Sequence, residues 1–197
     1  MPPTAANKWA LVLGSKGYPG ENIGGDNTVR ATYRALKNKY GYDRTHVLVL
    51  MPGDENPYQK IIDALAWLRE RTDEESSVFI LHSGHGNVGV SGIGAWNWAN
   101  ELVTIEYKSL ILVFESCYSL SLIDFLKGDG RVVVASASGL GQGVPGHSSF
   151  MELFVIGGLL KGLSIEACCR SVIQATGEVH WSDGYPTLTD HETDLMP

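Results

Sequence analysis

Five short apolar runs, at 9–15, 46–51, 77–81, 110–114 and 131–135, recur along the first two thirds of the chain. They read WALVLGS, HVLVLM, SVFIL, LILVF and RVVVA, and they lack the polar alternation of a strand with one wet face. Near-continuous apolar strands are buried on both sides, which predicts a parallel sheet covered by helices. Between them, residues 26–40, 57–72, 95–107 and 118–127 have helical spacing, and 148–161 and 164–176 follow the fifth run. Pro57 near a helix start and Gly41 near a helix end fit the usual asymmetry of helix termini. A polar segment, 177–197, comes last and holds one short candidate strand at 185–188. Repeated strand–helix units predict a doubly wound α/β sandwich with helices on both faces of the sheet. No repeat or linker divides the chain, so one domain over 1–197 is expected, its core at about 9–176.

Charge and hydropathy exclude several partners. Fifteen Lys and Arg against 22 Asp and Glu give −7, a poor balance for neutralising phosphates, so no nucleic acid is expected. No apolar stretch approaches the ~20 residues of a membrane span. Met1-Pro2-Pro3-Thr4 leads directly into the first apolar run without the layout of a signal peptide. Three cysteines, of which Cys168 and Cys169 are adjacent, make no disulfide framework. A reducing, cytoplasmic setting is the expectation.

In such a sheet, ligands bind beyond the carboxyl ends of the strands. The third run leads into His82-Ser83-Gly84-His85-Gly86-Asn87 and the fourth into Glu115-Ser116-Cys117-Tyr118-Ser119. A thiolate is the attacking species in cysteine catalysis, and a nearby histidine can generate it and later protonate the leaving amine. If the two strands are neighbours, ~4.8 Å apart, His85 and Cys117 face one another across the top of the sheet. Gly86 leaves room for a substrate carbonyl, and its N–H, with that of Cys117, suits an oxyanion hole. The plainer alternative is a buried Cys117 and an idle loop His85. Their pairing at strand ends, with glycine beside the histidine, favours the dyad.

Glycine supports this placement. The chain has 23, with five in 84–94 and four in 139–146, so the excess sits after the third and fifth strands, where loops shape a ligand crevice. Gly141 to Gly146 matches G-x-G-x-x-G but follows the fifth strand rather than opening the first βαβ unit. A nucleotide cofactor is therefore not expected. His82 and His85 are three apart on extended chain and point to opposite faces, a poor metal pair. His82 reads as core, or as support behind the site. No G-x-S-x-G elbow occurs. Trp96 and Trp98 read as packing residues, with a substrate wall as the alternative, and Cys168 and Cys169 as core. Tyr118 either lines the cleft or begins a helix. His147, Ser148 and Ser149 either touch substrate or cap the next helix.

The blocks Ser83-Gly84-His85-Gly86 and Glu115-Ser116-Cys117-Tyr118-Ser119 resemble those of the clan of caspases, metacaspases, gingipains and legumains. The legumain (asparaginyl endopeptidase) family is the most similar: its first strand also ends in a Gly-Ser-x-Gly-aromatic turn, here Gly14-Ser15-Lys16-Gly17-Tyr18. The resemblance spans roughly residues 9 to 162. It implies a caspase-like three-layer sandwich with a mostly parallel six-stranded sheet, a Cys117–His85 dyad, and hydrolysis of peptide or protein substrates after a selected P1 residue. No metal or organic cofactor is implied. A transamidase or peptide ligase on the same dyad is the close variant, and a catalytically silent scaffold is the alternative from another class.

Where legumains place an arginine and a histidine around P1 asparagine, this sequence has Asn22 and Ile23. Glu115 then reads either as a pocket carboxylate or as a tie that orders the strand end, and Asp26 as a second pocket acid or a helix cap. With Glu115, Asp26, Asn22 and Ser119 as the substrate-binding set, the expected P1 residue is basic. A C-terminal edge strand supports a homodimer by analogy with caspases.

Overall fold

The computed structural model describes residues 5–14, 26–51, 57–84, 86–87, 89–90, 93–117, 126, 132–136 and 150–176. In chain order they form β1 (Lys8–Gly14), α1 (Asp26–Lys39), β2 (Val47–Leu50), α2 (Pro57–Arg69) and β3 (Ser77–Ser83). Next come three two-residue strands, β4 (Gly86–Asn87), β5 (Gly89–Val90) and β6 (Ile93–Gly94), and then α3 (Ala95–Leu102). After β7 (Ser109–Glu115) and β8 (Val132–Ser136), a π-helical turn (Glu152–Ile156) and a 3-10 turn (Leu159–Lys161) lead to α4 (Ile165–Thr176).

The five apolar runs are the five strands of one sheet, in the order β2-β1-β3-β7-β8. All four pairings are parallel. The sixth strand expected at 185–188 lies outside the described residues. Alternate strand residues feed two cores. Ala10, Val12, Phe79, Leu81, Ile111 and Val113 pack with α1, the Glu152–Ile156 turn and α4. Leu11, Leu13, Val78, Ile80, Leu110, Leu112 and Phe114 pack with α2 and α3. Strands sealed on both faces have no use for polar side chains, which is why the runs are continuous. The chain moves one way from β1 to β2 and the other way from β2 to β3. With one crossover hand, that reversal sends the connecting helix to the opposite face. Hence α1 covers one side and α2 and α3 the other.

Several details depart from the sequence reading. The third strand runs on through His82 and Ser83, because β7 continues to pair with it as far as Glu115. The third helix stops at Leu102 instead of 107. There the β-branched run Val103-Thr104-Ile105 crowds a helix, and the Thr104 hydroxyl donates to the Glu101 carbonyl at 2.6 Å. Within 148–161, the described residues are helical from Phe150 through the π-helical Glu152–Ile156, and Gly157 and Gly158 then break the helix before the 3-10 turn Leu159–Lys161, so the expected single helix is interrupted. A Cβ at Gly158 would lie 2.5 Å from Cys168 Sγ, so glycine is what lets this turn close onto α4. The expected helix at 118–127 lies outside the described residues, except helical, buried Leu126. The 141–146 glycine loop and His147, Ser148 and Ser149 also lie outside them. Among the described residues, no helix is long and apolar enough to cross a membrane.

Cys168 and Cys169 are core residues, and burial pushes the Cys168 thiol up to about 12 and raises that of Cys169 as well. Trp98 is fully buried, edge-on to Phe114 at 5.7 Å between centroids. Trp96 does not pack in the same way and is 62% exposed. Two residues apart on a helix point to different faces, so only one of the pair can reach the core.

His82 is fully buried, and burial lowers its pKa from 6.5 to about 3. Unfolded chain takes up this proton as pH falls below about 6.5, whereas the folded protein resists it until about 3. Between those values the unfolded state holds more protons, so stability falls as pH falls, by up to ~1.4 kcal/mol per unit from this group. Urea unfolding from pH 7 to pH 4 is expected to show a shallower pH slope for His82→Leu than for the parent chain. Identical slopes would mean that His82 does not resist protonation.

Candidate active site

Three strands end in register along one rim of the sheet: Gly14 is opposite Ser83, and Ser83 opposite Glu115. The pairing extends one step beyond the strands, where the Gly84 amide donates to the Glu115 carbonyl at 3.0 Å. The third and fourth apolar runs are therefore hydrogen-bonded neighbours, the condition on which a Cys–His pairing across the sheet top depends. Cys117 stands two residues past Glu115 in a turn and is half-buried. Gly86 opens β4, three residues past Ser83. His85, Asn22 and Ser119 lie outside the described residues. Asp26 is the first residue of α1, and its side chain lies outside the described part.

Glu115 is only 3% exposed. The Ser83 hydroxyl donates to its Oε2 at 2.7 Å, and the Met151 amide approaches Oε1 at a longer 3.4 Å. A carboxylate taken out of water requires such donors. Glu115 thereby links the ends of β3 and β7 to the segment that enters the Glu152–Ile156 turn. Of its two sequence-based readings, these contacts are those of the tie at the strand end. By strand alternation, Ser83 and Glu115 face the same side as Leu81 and Val113, the side covered by α1 and α4. His82 and Phe114 face the other side, 6.3 Å apart between ring centroids. A polar pair thus closes one face of the rim and aromatic packing closes the other.

Two features escaped the sequence reading. One is the small antiparallel sheet β4-β5-β6, formed by the glycine cluster beside His85. Its signal was the turn dipeptide Ser91-Gly92 between the strand formers Val90 and Ile93. The other is the Ser83–Glu115 bond, which joins residues 32 positions apart. Local pattern carries no trace of it. Among the described residues, no group of three His, Cys, Asp or Glu side chains is placed to hold a metal ion.

No family model matches this chain, and no curated protein matches it. Among solved structures, caspase-1 from Spodoptera frugiperda is similar with a TM-score of 0.54, over 96% of this chain and 84% of that one. The fold is caspase-like. Sequence identity to that neighbour is 12%, so the likeness concerns the path of the backbone, and chemistry has to be argued from the site itself. The caspase-like fold that the resemblance implies is supported. The legumain branch is not distinguished by it.

Removing the Ser83 hydroxyl leaves a buried carboxylate short of a donor. Ser83→Ala is expected to lower the unfolding free energy by about 1–3 kcal/mol. At the opposite end of the same strands, Ser77 Oγ and Ser109 Oγ pair at 2.7 Å in a less enclosed setting, and Ser77→Ala is expected to cost less. Urea denaturation of the two variants makes the comparison. Equal, small losses would show that the Glu115 tie contributes little.

Proposed function

We propose that this protein is a cysteine endopeptidase, of the legumain-like branch of the caspase clan, acting on peptide or protein substrates. The observation that carries the proposal is the neighbouring ends of β3 and β7. They bring the backbone that flanks His85 next to the strand that leads to half-buried Cys117. The contrast among the three thiols supports it. Cys168 and Cys169 lie in the core with raised pKa values and are unsuited to attack.

In the proposed reaction the Cys117 thiolate attacks the carbonyl carbon of the scissile bond and forms a C–S bond. The carbonyl electron pair moves to oxygen, held by the amides of Gly86 and Cys117. As the pair returns, the C–N bond breaks, and His85 gives its proton to the departing amine. Water, deprotonated by His85, then attacks the thioester and releases the acid and the thiol. The dyad supplies every proton the sequence of steps requires, with no metal or organic cofactor.

A basic P1 residue is part of the proposal. It rests on the acidic set at Glu115 and Asp26, and on Asn22 and Ile23 standing where legumains carry basic residues. A positional-scanning peptide library is expected to give cleavage after Arg or Lys at least tenfold faster than after Asn or Asp, and no cleavage by Cys117→Ser. Strong cleavage after Asn would overturn the pocket assignment. Undiminished turnover by Cys117→Ser would overturn the peptidase assignment altogether.

A further inference from the structure

A cavity of about 300 Å³ opens between α1 and the end of β2, lined by Arg30, Tyr33, Arg34, Val49 and Met51. This is the lower end of the size range of ligand pockets, about 300–1,000 Å³. Val49 and Met51 form an apolar floor whose inner side packs on the α1-side core. Arg30 and Arg34 are one helical turn apart and exposed along the wall, with half-buried Tyr33 beside them.

Two further observations say what this groove suits. The first is charge. In a chain of net charge −7, α1 carries Arg30, Arg34, Lys37 and Lys39 against Asp26 as its one acid. Positive charge is concentrated on the very element that walls the cavity. The second is the sheet edge. β2 bonds to β1, and among the described residues its other side is unpaired. Its sequence, Val47–Leu50, has none of the charges or prolines that normally guard an edge strand.

We propose that this groove binds an extended acidic peptide segment of a partner protein. Its carboxylates meet the guanidinium groups of Arg30 and Arg34, whose planar forks match a carboxylate in two-point contact. An apolar side chain of the same segment covers Val49 and Met51, and its backbone adds to the side of β2 on which no described strand lies. The floor and the strand edge select a peptide over a bare anion, and the cationic wall selects an acidic one. The groove and Cys117 lie at the same end of the sheet, three strands apart, or about 14 Å. The surface does not depend on the peptidase proposal, because none of its residues belongs to the dyad.

The test uses the full chain carrying Cys117→Ser, so that hydrolysis does not confound binding. A fluorescein-labelled decapeptide built from Asp, Glu, Leu and Val is titrated by fluorescence anisotropy. A control peptide carries Lys in place of each acid. The acidic peptide is expected to bind with a micromolar dissociation constant and the Lys peptide at least tenfold more weakly. Arg30→Glu/Arg34→Glu is expected to weaken the acidic peptide at least tenfold. Lys37→Glu/Lys39→Glu makes the same change of charge on α1 away from the cavity lining, and is expected to weaken it less than threefold. The proposal is overturned by no binding below 1 mM, by equal binding of both peptides, or by equal loss in the two double variants. Unchanged thermal unfolding of both variants confirms that they are folded.

Discussion

Seven residues of β3 pair in parallel with seven of β7, from Ser77 opposite Ser109 to Ser83 opposite Glu115. The rest of the rim depends on that register. A slip of one residue would turn Glu115 away from Ser83 and drive Ile111 and Val113 out of their core. Phe79, Ile80, Leu81, Leu110, Leu112, Val113 and Phe114 are essentially fully buried, each contributing about 1.5–3 kcal/mol. Apolar packing therefore fixes the register along the strands. The Ser83–Glu115 hydrogen bond then marks its end, where the apolar pattern stops and the polar rim begins. Cys117 inherits its position from this arrangement, only two residues beyond the last pair.

Much of the architecture was legible because double-sided burial leaves an unmistakable mark on a strand. The five apolar runs became the five described strands of one parallel sheet, and the fold class followed. Strand order was legible only as a condition, since nothing local in the runs 77–81 and 110–114 says that they touch. Helix ends were less legible. The Val103-Thr104-Ile105 run has helical hydrophobic spacing but poor helix propensity, and propensity prevailed. The glycine cluster after β3 was read as loop, and it holds a small antiparallel sheet whose two-residue strands are too short to show alternation. At the site, the placement of Cys117 just past the end of a strand was legible from the apolar run before it, while His85 lies outside the described residues and its pairing with Cys117 stands as a proposal. The surroundings of Glu115 were not legible, because its partners Ser83 and Met151 are brought to it by tertiary packing alone.

Burial divides the three cysteines between two environments. Cys168 and Cys169 are enclosed by the packing of α4 against the Gly158 turn, where a low dielectric opposes a thiolate. Cys117 stands at the sheet rim, past the last apolar pair and partly open to solvent. Charge is divided in a comparable way. The chain is acidic overall, yet α1 gathers cations along the edge of the sheet, away from the Glu115 carboxylate.

The central claim is that Cys117 is an activated nucleophile whose reactivity comes from His85. Its most direct test is the rate at which a peptidyl acyloxymethyl ketone alkylates each cysteine, read by mass spectrometry of proteolytic fragments. The account predicts that Cys117 is modified at least a hundredfold faster than Cys168 or Cys169, and that His85→Ala removes most of that advantage. Slow and equal modification of all three thiols, unaltered by His85→Ala, would contradict it.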